Sequence, residues 1–163
     1  LQSNLMWNVY ADQEKLTENF FKNYYRDASD IMLGYLDELR VLYMDNWREV
    51  GLRGDCNTVN LYIPELWPRG TLLGWLEDLE SAKQAVAKYE ETDPDLYEKL
   101  IDRITMETLS IRYLLIRLYG DTLYSERELY EEKVDFYNLV VKYDMLPKNF
   151  GYSFEDLKTE LGI

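Results

Sequence analysis

The chain has 163 residues, enough for one domain that buries most of the surface exposed by its unfolded form, and 47% of them are hydrophobic. A formal charge of -13 and a pI near 4.4 argue against nucleic acid or an anionic membrane as a partner, because an acidic surface repels both. The absence of histidine removes the commonest general base, the usual catalytic triads and the HExxH metal sites; the single cysteine, Cys56, makes neither an internal disulfide nor a CxxC site. No run of about 18 apolar residues is present, so no membrane insertion is expected.

In chain order, Leu5, Met6 and Trp7 read as the end of an element that begins earlier, and the chain as the C-terminal part of a longer protein. Asp12 is an N-cap for a helix carrying Leu16, Phe20 and Tyr24 and ending near Tyr25-Arg26. Asp27 is read as the cap of a second helix, Ala28 to Val50, with Met32, Tyr35, Leu36, Leu39, Leu42, Tyr43 and Val50 on its apolar stripe and Gly51 as the stop. Residues Leu52 to Gly70 form a long irregular connection, with one extended piece around Val59-Leu61-Ile63. Thr71 opens a helix to about Glu91, and Thr92-Asp93-Pro94 turns the chain into a long antiparallel neighbour.

That neighbour, Asp93 to Gly120, has Asp as N-cap, Pro at the first helical position and Gly at the stop. Tyr97, Leu100, Ile101, Ile104, Ile111, Leu115 and Leu118 share one face, and Met106, Leu109, Tyr113 and Ile116 share another. A helix apolar on two faces has to be covered on both. The fold class is therefore all-α: a single helical domain, 1-163, as a bundle of five or six helices around this long central one, with the long loop across one end. Ser125 to Glu128 is a capping box for a further helix to about Tyr143, stopped by Pro147 and Gly151, and Ser153 caps a short terminal helix through Phe154, Leu157 and Leu161.

The run LMWNVYADQEKLTENFFKNYYRDASDIMLGYLDELR resembles a pattern of bacterial polysaccharide-processing proteins. It joins a hydrophobic-Trp-Asn segment, an aspartate opening a helix, a Phe-aromatic-Tyr-Tyr stretch and a small-residue turn. The family is the glycoside-hydrolase-like group known as domain of unknown function 4838, distantly similar to the alpha-glucuronidases. The similarity lies in Leu5 to Leu39, and where family members have glycine after the Tyr-Tyr pair this chain has Arg26. The resemblance implies a helical C-terminal region following a (β/α)8 barrel of the same polypeptide, in the bacterial periplasm or at the cell surface. It also implies a non-catalytic accessory role, supporting that barrel or its dimerisation. The segment SIRYLLIRLYGD resembles the helical starch-binding outer-membrane lipoproteins of gut bacteria, which makes a glycan-binding helical surface protein the second reading.

Glycoside hydrolysis needs two carboxyl groups flanking the scissile bond, and acidic residues are too abundant here for sequence to select a pair. Glu77-Asp78-Glu80, Glu90-Glu91 and Glu131-Glu132 fall on polar faces, and Gly54-Asp55-Cys56-Asn57 reads as a turn rather than a calcium loop. No catalytic residue, metal ligand or cofactor is assigned. Aromatic residues make up 15% of the chain, including 15 tyrosines. Three of them, Tyr62, Trp67 and Trp75, lie in or next to the long loop and are the candidate carbohydrate-binding residues. For Trp67, Pro64 and Pro68 on either side favour a buried anchor that holds the loop.

Overall fold

The computed structural model describes residues 12–49, 62–146 and 151–163, with backbone alone described for 45–49. Among the described residues every regular element is helical, so the fold is all-α. The α-helices are α1 (Gln13–Tyr25), α2 (Ser29–Glu49), α3 (Arg69–Ala85), α4 (Tyr89–Thr92), α5 (Pro94–Leu123), α6 (Glu126–Tyr143) and α7 (Phe154–Leu161). One 3-10 turn, Arg26–Ala28, joins α1 to α2. The chain forms two compact units, Leu1–Leu52 with Gly74–Thr105, and Arg53–Leu73 with Met106–Ile163. Helices α3 and α5 contribute to both. The predicted Leu5-Met6-Trp7 element, Val50 and the Gly51 stop, the Val59-Leu61 piece, the turn at Cys56 and Pro147 lie outside the described residues.

In the first unit, Asp12 caps α1 by accepting the Lys15 N–H at 3.1 Å. Phe21 and Tyr25, four residues apart, turn the buried face of α1 inward. The helix stops because Arg26 takes φ 55°. Asp27 does not cap α2, as its sequence position suggests. It accepts a hydrogen bond from the Tyr89 hydroxyl at 2.5 Å and pairs with Lys88 at 3.0 Å. The Tyr89 hydrogen bond, followed by Lys88, holds its carboxyl below the ordinary value. The same ties correct the predicted end of α3. That helix begins at Arg69, with the Pro68 carbonyl accepting the Leu72 N–H, and ends at Ala85 instead of reaching Glu91. From Val86 to Glu90 the backbone tightens to bonds spanning three residues, which carry Lys88 and Tyr89 to Asp27. Among the described residues of this unit, Ala28, Met32, Tyr35, Trp75, Leu79, Ala82, Val86, Leu100 and Ile104 are the other buried apolar ones.

Asp93 caps α5 through the Leu96 N–H at 3.2 Å. Both predicted faces of α5 are buried: Leu100, Ile104, Ile111 and Leu115 on one, Leu109 and Ile116 on the other. Its predicted end is not at Gly120, because the helix continues to Leu123. Gly120 serves packing instead: a Cβ there would lie 2.9 Å from Leu129 Cδ1 of α6, so the missing side chain lets that leucine approach the α5 backbone.

In the second unit, the capping boxes at Ser125 with Glu128 and at Ser153 with Asp156 start α6 and α7 as predicted. Asp144, in the left-handed region at φ 52°, ends α6 by donating its N–H to the Val140 and Val141 carbonyls. Leu109, Ile116, Phe136, Val140, Leu157 and Leu161 make one apolar cluster joining α5, α6 and α7. Arg112 ties α5 to α6, its Nε 2.6 Å from Glu132 and its Nη2 2.8 Å from Asp135.

The segment preceding α3 is held at both Leu66 and Trp67. Leu66 is 0% exposed, whereas Trp67 is partly buried and offers its carbonyl to the Tyr119 hydroxyl at 2.8 Å. Leu66→Ala should therefore lower stability by about 2 to 5 kcal/mol, and Trp67→Ala, which truncates a larger but less completely covered ring, by a comparable amount. Urea midpoints of the two variants give the losses, and a Trp67→Ala chain as stable as the parent would show that Leu66 alone holds the segment.

Candidate functional site

The second unit contains a groove of about 590 Å³, within the roughly 300 to 1,000 Å³ common for small-molecule sites. Its apolar lining includes Leu109, Phe136, Val140 and Leu157 from the cluster beneath it, together with Met106 and Met145. Glu107 and Ser110 also line it, and three of its polar side chains, Tyr113, Arg117 and Tyr152, converge on Glu160 of α7.

Tyr113 of α5 donates to Glu160 Oε1 at 2.5 Å, and Arg117 Nη1, one turn further along α5, reaches the same oxygen at 2.5 Å. The Tyr152 hydroxyl, just before α7, donates to Oε2. Arg117 Nη1 also donates to the Tyr113 oxygen at 2.8 Å. The four groups form a closed network that fastens α7 to α5. Burial by itself would raise the Glu160 carboxyl, but the hydrogen bonds from Tyr113 and Tyr152 and the Arg117 charge outweigh it and hold the group below the ordinary carboxylate value. Burial first, and then the bond to Glu160, push Tyr113 up to about 12, and Tyr152 is raised for the same two reasons.

These shifts fix two pH limits. A carboxyl lowered in the folded state contributes stability that is present above its unfolded value, near 4.5, and lost as pH falls through the folded one. The raised Tyr113 contributes stability present below about 10, lost as pH rises from there towards about 12. Glu160→Gln should accordingly flatten the loss of stability on the acid side. Urea midpoints measured across a pH series decide it: an unchanged acid limb would mean that the network contributes nothing to folding.

The sequence-selected aromatics are not gathered at one place. Tyr62 is at the groove, 42% exposed, its ring edge-on to Tyr113 with centroids 5.8 Å apart, and the Arg117 guanidinium lies 4.5 Å from its centroid. Trp67 lies in the turn before α3 and does not line the groove. Trp75 is 2% exposed, edge-on to Tyr35, with its indole N–H donating to Glu38 at 2.9 Å. A ring so enclosed has no face to offer a sugar, so Trp75 is a core residue. Of the acidic runs, Glu77, Asp78, Glu80, Glu90, Glu91 and Glu131 are exposed and Glu132 holds Arg112.

Sequence reasoning missed Glu160, Arg117 and Tyr152. The one signal available was the Tyr113 and Arg117 pair, four residues apart beside an otherwise apolar face of α5. Among the described residues no group of three or more His, Cys, Asp or Glu could hold a metal ion, and no helix is long and apolar enough to cross a membrane. No family model, curated protein or solved structure matches this chain.

Proposed function

We propose that the chain is a non-catalytic helical accessory module of a glycoside-hydrolase-like, carbohydrate-processing protein, which supports the upstream (β/α)8 barrel of that polypeptide or its dimerisation. The observation that carries the non-catalytic part is the condition of Glu160. A glycosidase acid must hold its proton near neutrality, which takes an apolar setting that raises its pKa. Glu160 is displaced the other way, which does not suit the acid, and both of its oxygens already accept hydrogen bonds, which leaves neither free to act as the ionised nucleophile or base. It is a fixed anion that braces α7, not a proton donor.

The family reading draws on the resemblance in Leu5 to Leu39. Where the resembled family usually has glycine this chain departs with Arg26, held at φ 55°. The periplasm or cell surface of a bacterium follows from the same resemblance.

The second reading, a glycan-binding helical surface protein, is favoured by Tyr62, whose partly open ring stands beside the Arg117 and Glu160 groups at the groove. Aromatic faces flanked by hydrogen-bonding groups suit sugar rings. A panel of aryl glycosides and oligosaccharides separates the two. The accessory reading expects no hydrolysis and no binding that depends on Tyr62. Turnover abolished by Glu160→Gln would overturn the non-catalytic assignment, and oligosaccharide binding lost in Tyr62→Ala would put the second reading first.

A further inference from the structure

The Glu160 network ties up most of the polarity of the groove in the second unit. The Tyr113 and Tyr152 hydroxyls are spent on the carboxylate, and Arg117 neutralises it at 2.5 Å. Glu107, the third charged side chain of the described lining, is not without a partner either. Polar groups whose hydrogen bonds are already made lose little when water is displaced from above them. A charged ligand, in contrast, would have to break into a closed network. The groove contains charges and still favours an uncharged ligand.

The rest of the lining is rich in rings and sulfur. Tyr113 lies nearly parallel to Phe136, with centroids 5.9 Å apart at 29°, and Tyr62 stands at 78° to Tyr113. Two rings thus run along one wall and a third crosses it. The Arg117 guanidinium, 4.5 Å from the Tyr62 centroid, braces that third ring although 42% of it is exposed. Met106 and Met145 add two thioethers, and Met145 is 49% exposed. Aromatic rings meet one another edge-to-face or offset, and thioether sulfur favours ring edges, so these side chains suit a flat ring better than an alkyl chain. Ser110 and the Tyr62 hydroxyl, which have no hydrogen-bond partner among the described residues, supply polar contacts to orient it.

We propose that this groove binds a neutral aromatic small molecule carrying a hydroxyl or N–H group, its rings against Tyr62, Tyr113, Phe136 and the two methionines and its polar group at Ser110. The volume of about 590 Å³ suits a drug-sized ligand. The site goes beyond both readings above, because neither a supporting role nor a sugar stacked on Tyr62 uses the apolar floor.

The probe is N-phenyl-1-naphthylamine, which is uncharged, carries one N–H and brightens in apolar surroundings. Its sulfonated analogue, 1-anilinonaphthalene-8-sulfonate, has the same rings and a negative charge. In high salt, which screens the overall charge of the chain, the neutral probe should saturate a single site and the sulfonate should bind about tenfold more weakly or worse. Tyr62→Ala and Met145→Ala, both at exposed positions, should each weaken the neutral probe by about tenfold while circular dichroism stays that of the parent. Met145 is not needed by a sugar on Tyr62, so its variant separates this site from the glycan reading. Phe20→Ala, at an exposed ring of the first unit, should change nothing. Amide shifts of the isotope-labelled chain should fall on Ser110, Tyr113, Leu157 and Glu160. Binding that survives both groove variants, takes several probe molecules per chain or shifts α1 and α2 would show only a general affinity for apolar surface and overturn the proposal. No binding, or a preference for the sulfonate, would do the same. A dimer that Met145→Ala converts to monomer would also overturn it, by assigning the groove to a second copy of the chain.

Discussion

Leu115→Asp will abolish cooperative folding. Leu115 is 0% exposed in the middle of α5, and Ile111, one turn earlier, is 1% exposed. A carboxylate at either position would lose its hydration. The chain must then protonate it, open to admit water or unfold, at a cost of several kcal/mol. Domains have only about 5 to 15 kcal/mol of net stability, so the substitution removes most of it. Leu115→Ala supplies the graded comparison: the side chain is deleted without adding charge, and the loss should be about 2 to 5 kcal/mol. Urea titration followed by far-ultraviolet circular dichroism tests both variants. A soluble Leu115→Asp chain with a cooperative transition near that of the parent would show that α5 is not where the core lies.

Trp75→Ala should cost about 3 to 5 kcal/mol in the absence of any ligand. The indole is enclosed and edge-on to Tyr35, so truncation removes the largest fully buried side chain among the described residues as well as an aromatic contact. Trp75→Phe isolates the smaller polar part. It keeps an aromatic ring but loses the hydrogen bond to Glu38, which should cost about 1 kcal/mol beyond the change in packing. Midpoints of thermal and urea unfolding give the ranking. A Trp75→Ala protein as stable as the parent but deficient in oligosaccharide binding would place the ring at a surface and return it to the carbohydrate candidates.

The two substitutions mark different degrees of legibility. Leu115 could be chosen from periodicity, because α5 repeats its apolar residues over many turns and a long repeat averages out local accidents. Trp75 could not be classified in the same way. It stands near the start of α3, beside the long loop, and sequence alone does not distinguish an aromatic that enters the core from one that leaves it. Trp67 and Leu66 repeat the lesson at shorter range. Of these two adjacent apolar residues in a turn, the smaller is the more completely buried.

Helix starts at Asp12, Asp93, Ser125 and Ser153 were determined by the sequence itself, since each cap is a bond between a side chain and a backbone N–H a few residues away. The all-α class and both buried faces of α5 followed from spacing in the same local way. Tertiary structure alone decided the ends at Ala85 and Leu123: the first accompanies the ties from Asp27 to Lys88 and Tyr89, and the second carries α5 past a glycine that Leu129 needs for close approach. It alone also assembled the site. Glu160 meets Tyr113 from 47 residues away and Arg117 from 43, and no local rule links groups so distant, because only the packing of α7 on α5 and α6 sets their separation.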